Sequence, residues 1–288
     1  MTTPHDSAGN PAHNPEDYCY RHPDRRSFVL CQRCLRTVCP ECQTPAAVGV
    51  ICPECMKAQQ QATPPRVRRA ASAVRRLDSR PLVTYWIVGI TAVVSLAAII
   101  PGVPLRNWLA FNSAFLDPAW GVGWEPWRAL TVLLVHSGIW HVGLNMLAVW
   151  MIGRSLEPLL GHGRFLALYL LSGLGGSVGV ALIAPGIWVV GASGAVFGLL
   201  GALLVIGRHI GANITGILIV LGINLVIGFI PGFYVAWQAH IGGLVVGALL
   251  GLIFARTRRA DQRGQQLALL VGTGVALVVL AVVAAIIH

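Results

Sequence analysis

Beyond residue 81 the chain alternates long apolar runs with short polar or basic loops. Seven runs stand out: Leu82–Ile100, Ala129–Gly153, Phe165–Ala184, Ser193–Gly207, Ile214–Ile230, Tyr234–Ala255 and Leu267–Ile287. A helix that crosses a bilayer needs roughly 17–25 residues, so each run predicts a membrane helix and the fold class is an all-α membrane protein. The fourth run is short by that rule and the fifth lies at its lower limit. A short span is tolerated where its ends are buried in protein, which predicts that these two are central in the bundle. Before residue 82 the chain is polar and cysteine-bearing. The expected division is a disordered N-terminus at 1–18, a small metal-binding domain at 19–57, a basic linker at 58–81, a six-helix core at 82–255, and a loop with a seventh helix at 256–288.

Composition agrees with this division. Hydrophobic residues make up 55% of the chain and charged residues 11%, against about 25% charged in a soluble domain. Of the 21 Lys and Arg, 12 precede Leu82, as do 7 of the 11 Asp and Glu. Met1 to Asp17 is polar and has no apolar core, so it does not read as a signal peptide. The formal charge of +10 suggests nucleic acid at first sight, but Arg66, Arg68, Arg69, Arg75, Arg76 and Arg80 sit just before the first span. There they fit a cytoplasmic anchor beside anionic lipid, and no nucleic-acid partner is expected.

The short loops predict the orientation. Arg154, Arg164, Arg208, Arg256, Arg258, Arg259 and Arg263 flank the second, fourth and sixth loops, whereas Pro185–Gly191 and Pro231–Phe233 carry no Lys or Arg. With basic loops inside, the N-terminus is cytoplasmic and His288 outside, in a multi-pass plasma-membrane protein. Arg106 and Arg128, around the long first loop, are the exceptions. Trp108, Trp120, Trp124 and Trp127 in and just after that loop read as an interfacial belt.

All seven cysteines lie between Cys19 and Cys55, as Cys19-x-x-His22, Cys31-x-x-Cys34, Cys39-x-x-Cys42 and Cys52-x-x-Cys55. Four pairs at one spacing supply eight ligands, the number two tetrahedral zinc ions require. An odd cysteine count on the reducing side of a membrane argues against disulfides. In an interleaved pairing, Cys19, His22, Cys39 and Cys42 share one ion and Cys31, Cys34, Cys52 and Cys55 the other; spacing admits a sequential pairing too. With every ligand position filled the zinc is structural, and its binding supplies folding energy to a domain too small for a large core. Such a domain is expected to dock a protein partner or regulate the core.

Polar groups inside spans each need a reason. Four matter most: His141 and Asn145 in the second span, Ser193 at the start of the fourth, and His240 early in the sixth. Asn224 and Gln238 read as helix–helix hydrogen-bonding residues. The second, fourth and sixth spans run in the same direction, so their early residues share the outer half of the membrane. His141 and Asn145, four apart, share a helix face, and a helix start at Ser137-Gly138, with Ser137 as cap, brings them level with Ser193. Ser193 sits in Gly191-Ala192-Ser193-Gly194, where small neighbours admit other groups to its hydroxyl. Gly194, Gly198 and Gly201 on one helix and Gly243, Gly247 and Gly251 on the other would let the fourth and sixth spans approach closely.

Absences narrow the chemistry. No Asp or Glu lies within the predicted spans, which excludes a pair of catalytic carboxylates and leaves no acid for a Ser-His-Asp triad. There is no HExxH motif for a membrane zinc protease. What remains is a Ser193–His240 dyad. His240 would take and return the proton, while His141, Asn145 and the Ser193 N–H would hold the oxyanion. An inactive binding protein would be expected to lose Ser193 or His240, and a proton-coupled transporter would need an intramembrane carboxylate.

These residues closely resemble the rhomboid family of intramembrane serine proteases. Its GxSG appears as Gly191-Ala192-Ser193-Gly194, and its AHxxGxxxG as Ala239-His240 with Gly243 and Gly247. Its second-helix His, His and Asn appear as His136, His141 and Asn145, and its loop WR as Trp127-Arg128. The resemblance implies a six-helix core plus one C-terminal helix. It implies cleavage of single-pass transmembrane proteins near the outer membrane face, after a small residue, without a catalytic cofactor. His136, Trp127 and Arg128 would support the first loop. Many members carry Tyr where this chain has Phe197, which keeps the ring and loses the hydroxyl. The paired-ligand head is similar to a B-box-type zinc domain, as found in some bacterial rhomboids.

Overall fold

The computed structural model describes residues 15–46, 49–62, 80–209, 211, 213–227 and 235–288. Most of the predicted disordered segment, the linker arginines Arg66, Arg68, Arg69, Arg75 and Arg76, and the fifth loop Pro231–Phe233 lie outside the described residues. The chain falls into two compact units, Met1–Asp78 and Ser79–His288.

The first unit is built from very short elements. Strand β1 (Tyr18–Cys19) pairs antiparallel with β2 (His22–Arg26), and β3 (Thr44–Pro45) with β4 (Val50–Ile51). Helix α1 (Pro53–Ala62) follows, with Pro53 in its first turn, where a missing N–H costs nothing. The buried cluster consists of Cys19, Cys31, Cys39, Cys42 and Cys52 with only Val38 and Ile51 as aliphatic members. Two aliphatic side chains are too few to hold such a unit by burial alone.

The second unit is helical: α2 (Leu82–Ile99), α3 (Leu105–Leu109), α4 (Arg128–Thr131), α5 (Ile139–Leu160), α6 (His162–Ile183), α7 (Ser193–His209), α8 (Thr215–Ile227), α9 (Trp237–Arg256) and α10 (Arg263–Ile287). Helices α2, α6, α9 and α10 are long and apolar enough to cross a membrane. The run predicted as one span at Ala129–Gly153 is instead broken. α4 continues as a 3-10 turn over Val132–Leu134, and α5 restarts at Ile139, bent by 97° from it. Neighbouring groups capture the carbonyls of this short segment: Ser177 Oγ donates to Ala129 O (2.7 Å), Gly191 N–H to Val132 O (3.1 Å) and Ser95 Oγ to Leu134 O (2.8 Å). The helix restarts where expected, but Ser137 does not cap it. The N-cap is Gly138 and makes no side-chain cap bond.

At its other end α5 runs past Gly153 and so includes Glu157, a correction to the expected absence of acids. Glu157 is 1% exposed and accepts from Val83 N (2.8 Å), Thr84 N (2.7 Å) and Thr84 Oγ1 (2.6 Å). It thus satisfies the free N–H groups that open α2. It lies 12 residues beyond Asn145, about 18 Å along the helix, and supplies no acid to the candidate site.

Helices α6, α7 and α9 form the centre, and glycine sets how close they come. A Cβ on Gly243 would lie 1.9 Å from Gly194 O, one on Gly247 2.0 Å from Gly198 O, and one on Gly242 2.2 Å from Gly175 O. The α7–α9 pairing follows the expected glycines; the α6 glycines Gly175, Gly176 and Gly179, which pack on α9, were not anticipated. The short α7 is buried along most of its length, as predicted. The other short span, α8, is peripheral. Leu221 is buried, while Leu218, Ile219, Val220, Ile223 and Val226 are exposed. Asn224 donates to Val220 O of its own helix (2.8 Å) rather than across helices. α10 packs chiefly against α6 and exposes most of its apolar surface.

Candidate active site and metal-ligand clusters

The loop before α7 is tied down at several points. Phe111 and Val189 exchange backbone hydrogen bonds (3.1 and 2.9 Å), and Gly186 N–H donates to Ser113 Oγ (2.8 Å). Gly191 and Ala192 then donate in succession, to Val132 O (3.1 Å) and to His136 Nε2 (3.2 Å). Gly191 has φ +116, and a Cβ there would sit 2.9 Å from His141 Nε2, so both conformation and space require glycine. Ser193 follows as the first residue of α7. The N–H groups there lack intrahelical acceptors and point positive charge density toward the loop.

His240 lies in the first turns of α9 and is 6% exposed. Its ring stacks on Phe197, with centroids 4.0 Å apart and planes 11° from parallel. Phe197 is four residues after Ser193, so the two share one face of α7. That places Ser193 one turn from the ring that carries His240. No hydrogen bond joins Ser193 to His240 here; such bonds often tighten only when substrate is bound. His240 Nδ1 is buried without a hydrogen-bond partner among the described residues. No acid orients the imidazole; the Phe197 ring does.

His141 and Asn145 are on the first two turns of α5. His141 Nδ1 faces Ser137 N (3.4 Å) and Ser137 Oγ (3.0 Å). A backbone N–H can only donate, so Nδ1 accepts and the ring proton is on Nε2, on the side of the ring that faces Gly191. Ser137, expected as a cap, therefore orients a histidine instead. Asn145 is 8% exposed and uses Nδ2 to bond His141 O (2.9 Å), which leaves one amide hydrogen uncommitted in that contact. A small cavity beside Ser193 is walled by glycines and alanines of α6, α7 and the start of α9 together with Val132, Leu133, Val189 and Val190, with Ser177 as its second hydroxyl. Sequence reasoning missed Ser177 and these α6 glycines. The run Gly173, Gly175, Gly176, Gly179 was the available signal.

Arg128, expected to support the first loop, is 5% exposed and binds Glu125 (2.6 Å), Asn107 O (2.6 Å) and Ala110 O (3.1 Å). Its guanidinium also lies over Phe115, 4.1 Å from the ring centroid. Trp127 is exposed, as are Trp108, Trp120 and Trp124. His136 turns toward the nucleophile loop rather than the first loop.

In the N-terminal unit the eight paired ligands gather into two clusters, Cys19, His22, Cys39, Cys42 and Cys31, Cys34, Cys52, Cys55, with ligand atoms within 4.8 Å of one another. The grouping is the interleaved one. His22 Nδ1 lies 3.3, 3.4 and 3.8 Å from the sulfurs of Cys39, Cys42 and Cys19, and Cys34 and Cys52 sulfurs are 3.7 Å apart. The edges of a tetrahedral zinc site with usual bond lengths are about 3.5–3.8 Å, so these donors fit that ion. Burial raises the Cys19 and Cys31 thiols, but surrounding backbone N–H groups outweigh it and lower both to about 6. Burial and neighbouring sulfurs push Cys42 up to about 11 and Cys55 to about 12. Neither the three thiols of the first cluster nor the four of the second can all ionise together without a cation among them.

The helical unit, with its apolar helices, broken second span and glycine-lined serine loop, fits a rhomboid-type membrane bundle. The rhomboid domain family matches residues 123–257. The rhomboid relative YdcA of Bacillus subtilis is 32% identical over 182 residues, covering 60% of this chain and 88% of that protein. The chain belongs to the rhomboid family. Rhomboid protease GluP of Bacillus subtilis is 43% identical over 140 residues, 44% of this chain and 27% of GluP. RHOMBOID-like protein 6 of Arabidopsis thaliana, a mitochondrial protein, is 37% identical over 166 residues, 52% of this chain and 53% of its own length. The chain thus spans about a quarter to a half of these last two relatives.

Proposed function

We propose that this chain is an intramembrane serine endopeptidase that cuts single-pass transmembrane proteins with a Ser193–His240 dyad. The observation that carries this reading is the stack of His240 on Phe197, one helical turn from Ser193. His240 removes the Ser193 proton as Oγ attacks the scissile carbonyl. The Ser193 N–H, His141 Nε2–H and the free amide hydrogen of Asn145 hold the oxyanion. The intermediate collapses, the C–N bond breaks, and His240 gives its proton to the leaving amine. Water then attacks the acyl ester, again with His240 as base, and restores Ser193.

The small volume beside Ser193, closed in by Val132, Leu133, Val189 and Val190 as well as by glycines, suits a small substrate side chain. The core is assigned to 82–255, the following loop and seventh helix to 256–288. The head at 19–57 holds two structural zinc ions and faces the cytoplasm, where it docks a protein partner; His288 lies outside the plasma membrane. Relatives whose names describe rhomboid proteases support the activity.

A fluorophosphonate probe tests the dyad. The wild-type chain in a bilayer is expected to label and to cleave a model single-pass substrate, while Ser193→Ala and His240→Ala do neither. Equal labelling of wild type and Ser193→Ala, with no cleavage by either, would sink the assignment.

A further inference from the structure

Among the buried groups that the site as described leaves unused is the hydroxyl of Ser95. It lies on α2, which contributes no residue to the dyad or the oxyanion donors. Ser95, His136 and Ala192 are each 0% exposed, and a single line of hydrogen bonds joins them. Ala192 N lies 3.2 Å from His136 Nε2, His136 Nδ1 2.8 Å from Ser95 Oγ, and Ser95 Oγ 2.8 Å from Leu134 O.

The direction of every bond follows from its two ends. Ala192 N–H can only donate, so His136 Nε2 accepts and the ring carries its proton on Nδ1. Ser95 Oγ therefore accepts from Nδ1–H and sends its own hydrogen to Leu134 O, which can only accept. The other tautomer of His136 would set N–H against N–H at Ala192. A charged ring would do the same. The imidazole is thus held neutral and in one tautomer by a hydroxyl on a different helix.

What the line fixes is the peptide just before Ser193. Gly191 N–H is held by Val132 O (3.1 Å) and Ala192 N–H by His136, two consecutive amides bound to one segment, 132–136. That two-point grip sets the plane of the chain entering α7 and hence the direction of the Ser193 side chain. The grip at Gly191 uses backbone alone. The grip at Ala192 depends on a histidine whose tautomer depends on Ser95.

We propose that Ser95 is a positioning residue for the nucleophile, acting through His136 on the Ala192 amide. The inference rests on the reading of Ser193 as nucleophile. Removing the hydroxyl leaves His136 Nδ1–H without an acceptor in a buried place, so the ring can change tautomer and release Ala192.

The test compares Ser95→Ala and Ser95→Thr in the full chain, reconstituted in a bilayer. Ser95→Ala is expected to lower kcat roughly tenfold, the scale of one buried hydrogen bond, with KM within about twofold. Ser95→Thr, which keeps a hydroxyl, is expected to recover most of the loss. Amide hydrogen exchange at Ala192 should quicken in Ser95→Ala while α6 amides stay as in wild type. Nitrogen-15 NMR of wild type should show His136 protonated at Nδ1. Wild-type kcat and unchanged exchange at Ala192 in Ser95→Ala would overturn the proposal. So would an equal loss in both variants with Ala192 exchange unaltered, which marks a packing effect. Should wild type neither label nor cleave, the protease reading falls, and the exchange and tautomer readouts decide the Ser95 link by themselves.

Discussion

The two units of this chain are held together by opposite means. The N-terminal unit buries five cysteines around two aliphatic side chains, and its ligand atoms gather in two clusters that could each hold a metal ion. The helical unit carries a large apolar cluster, yet its tightest contacts come from residues with no side chain, where Gly243 meets Gly194 and Gly247 meets Gly198. One unit lacks the material for a core and gathers ligands instead. The other has apolar material in excess, and lipid competes for it, so packing and not hydrophobicity decides which helices touch.

The sharpest way to separate them is metal removal. A strong chelator, or Cys39→Ala, is expected to unfold the N-terminal unit, because structural zinc supplies on the order of 10 kcal/mol to such sites. Thermal unfolding of the helical unit should stay unchanged. Circular dichroism of the strands together with zinc release reports the first, and loss of tertiary signal on heating the second. A head that keeps its fold without metal would break the contrast.

Within the helical unit the contrast is between centre and edge. Gly247→Ala places a methyl well inside contact distance of Gly198 O and is expected to cost about 3 kcal/mol or more. Ile223→Ala on exposed α8 should cost under about 0.5 kcal/mol. Steric-trap or denaturant unfolding in one lipid mixture compares them directly, and equal losses would mean that glycine contact is not what holds α7 to α9. A smaller effect is expected at the stack. Phe197→Leu keeps most of the volume but removes a ring–ring contact of about 1 kcal/mol, so kcat should fall by several-fold with little change in KM.

Much of the helical unit was legible because its signals are local. Apolar runs mark α2, α6, α9 and α10, and the small residues of Gly191-Ala192-Ser193-Gly194 mark a close approach. The restart at Ser137-Gly138 was legible, but the separate turn before it was not, because Ala129–Leu134 is as apolar as any span. What ends the helix is the pull of Ser177, Gly191 and Ser95 on its carbonyls, groups far away in sequence. Glu157 misled for a related reason. It was placed beyond a span, but the N–H groups of Val83 and Thr84 draw it inward and keep α5 helical around it. Length alone put α8 at the centre; its neighbours put it at the edge. The spacing of the cysteine pairs gave the ligands but not their partners, since both pairings satisfy the same intervals, and only the folded hairpins choose between them.

The backbone contact between α7 and α9 also bears on how this sequence can change over time. Any single-base substitution that replaces a glycine without stopping translation adds at least one carbon to the residue. At Gly194, Gly198, Gly243 and Gly247 the facing carbonyls and α-carbons leave little or no room for that carbon. Most replacements of these residues therefore disturb the pairing that brings the serine helix to the histidine helix. The lipid-facing positions of α8 and α10 can drift among Leu, Ile and Val at little cost. Descendants of this chain should diverge most where they meet the membrane and least where two bare stretches of backbone meet each other.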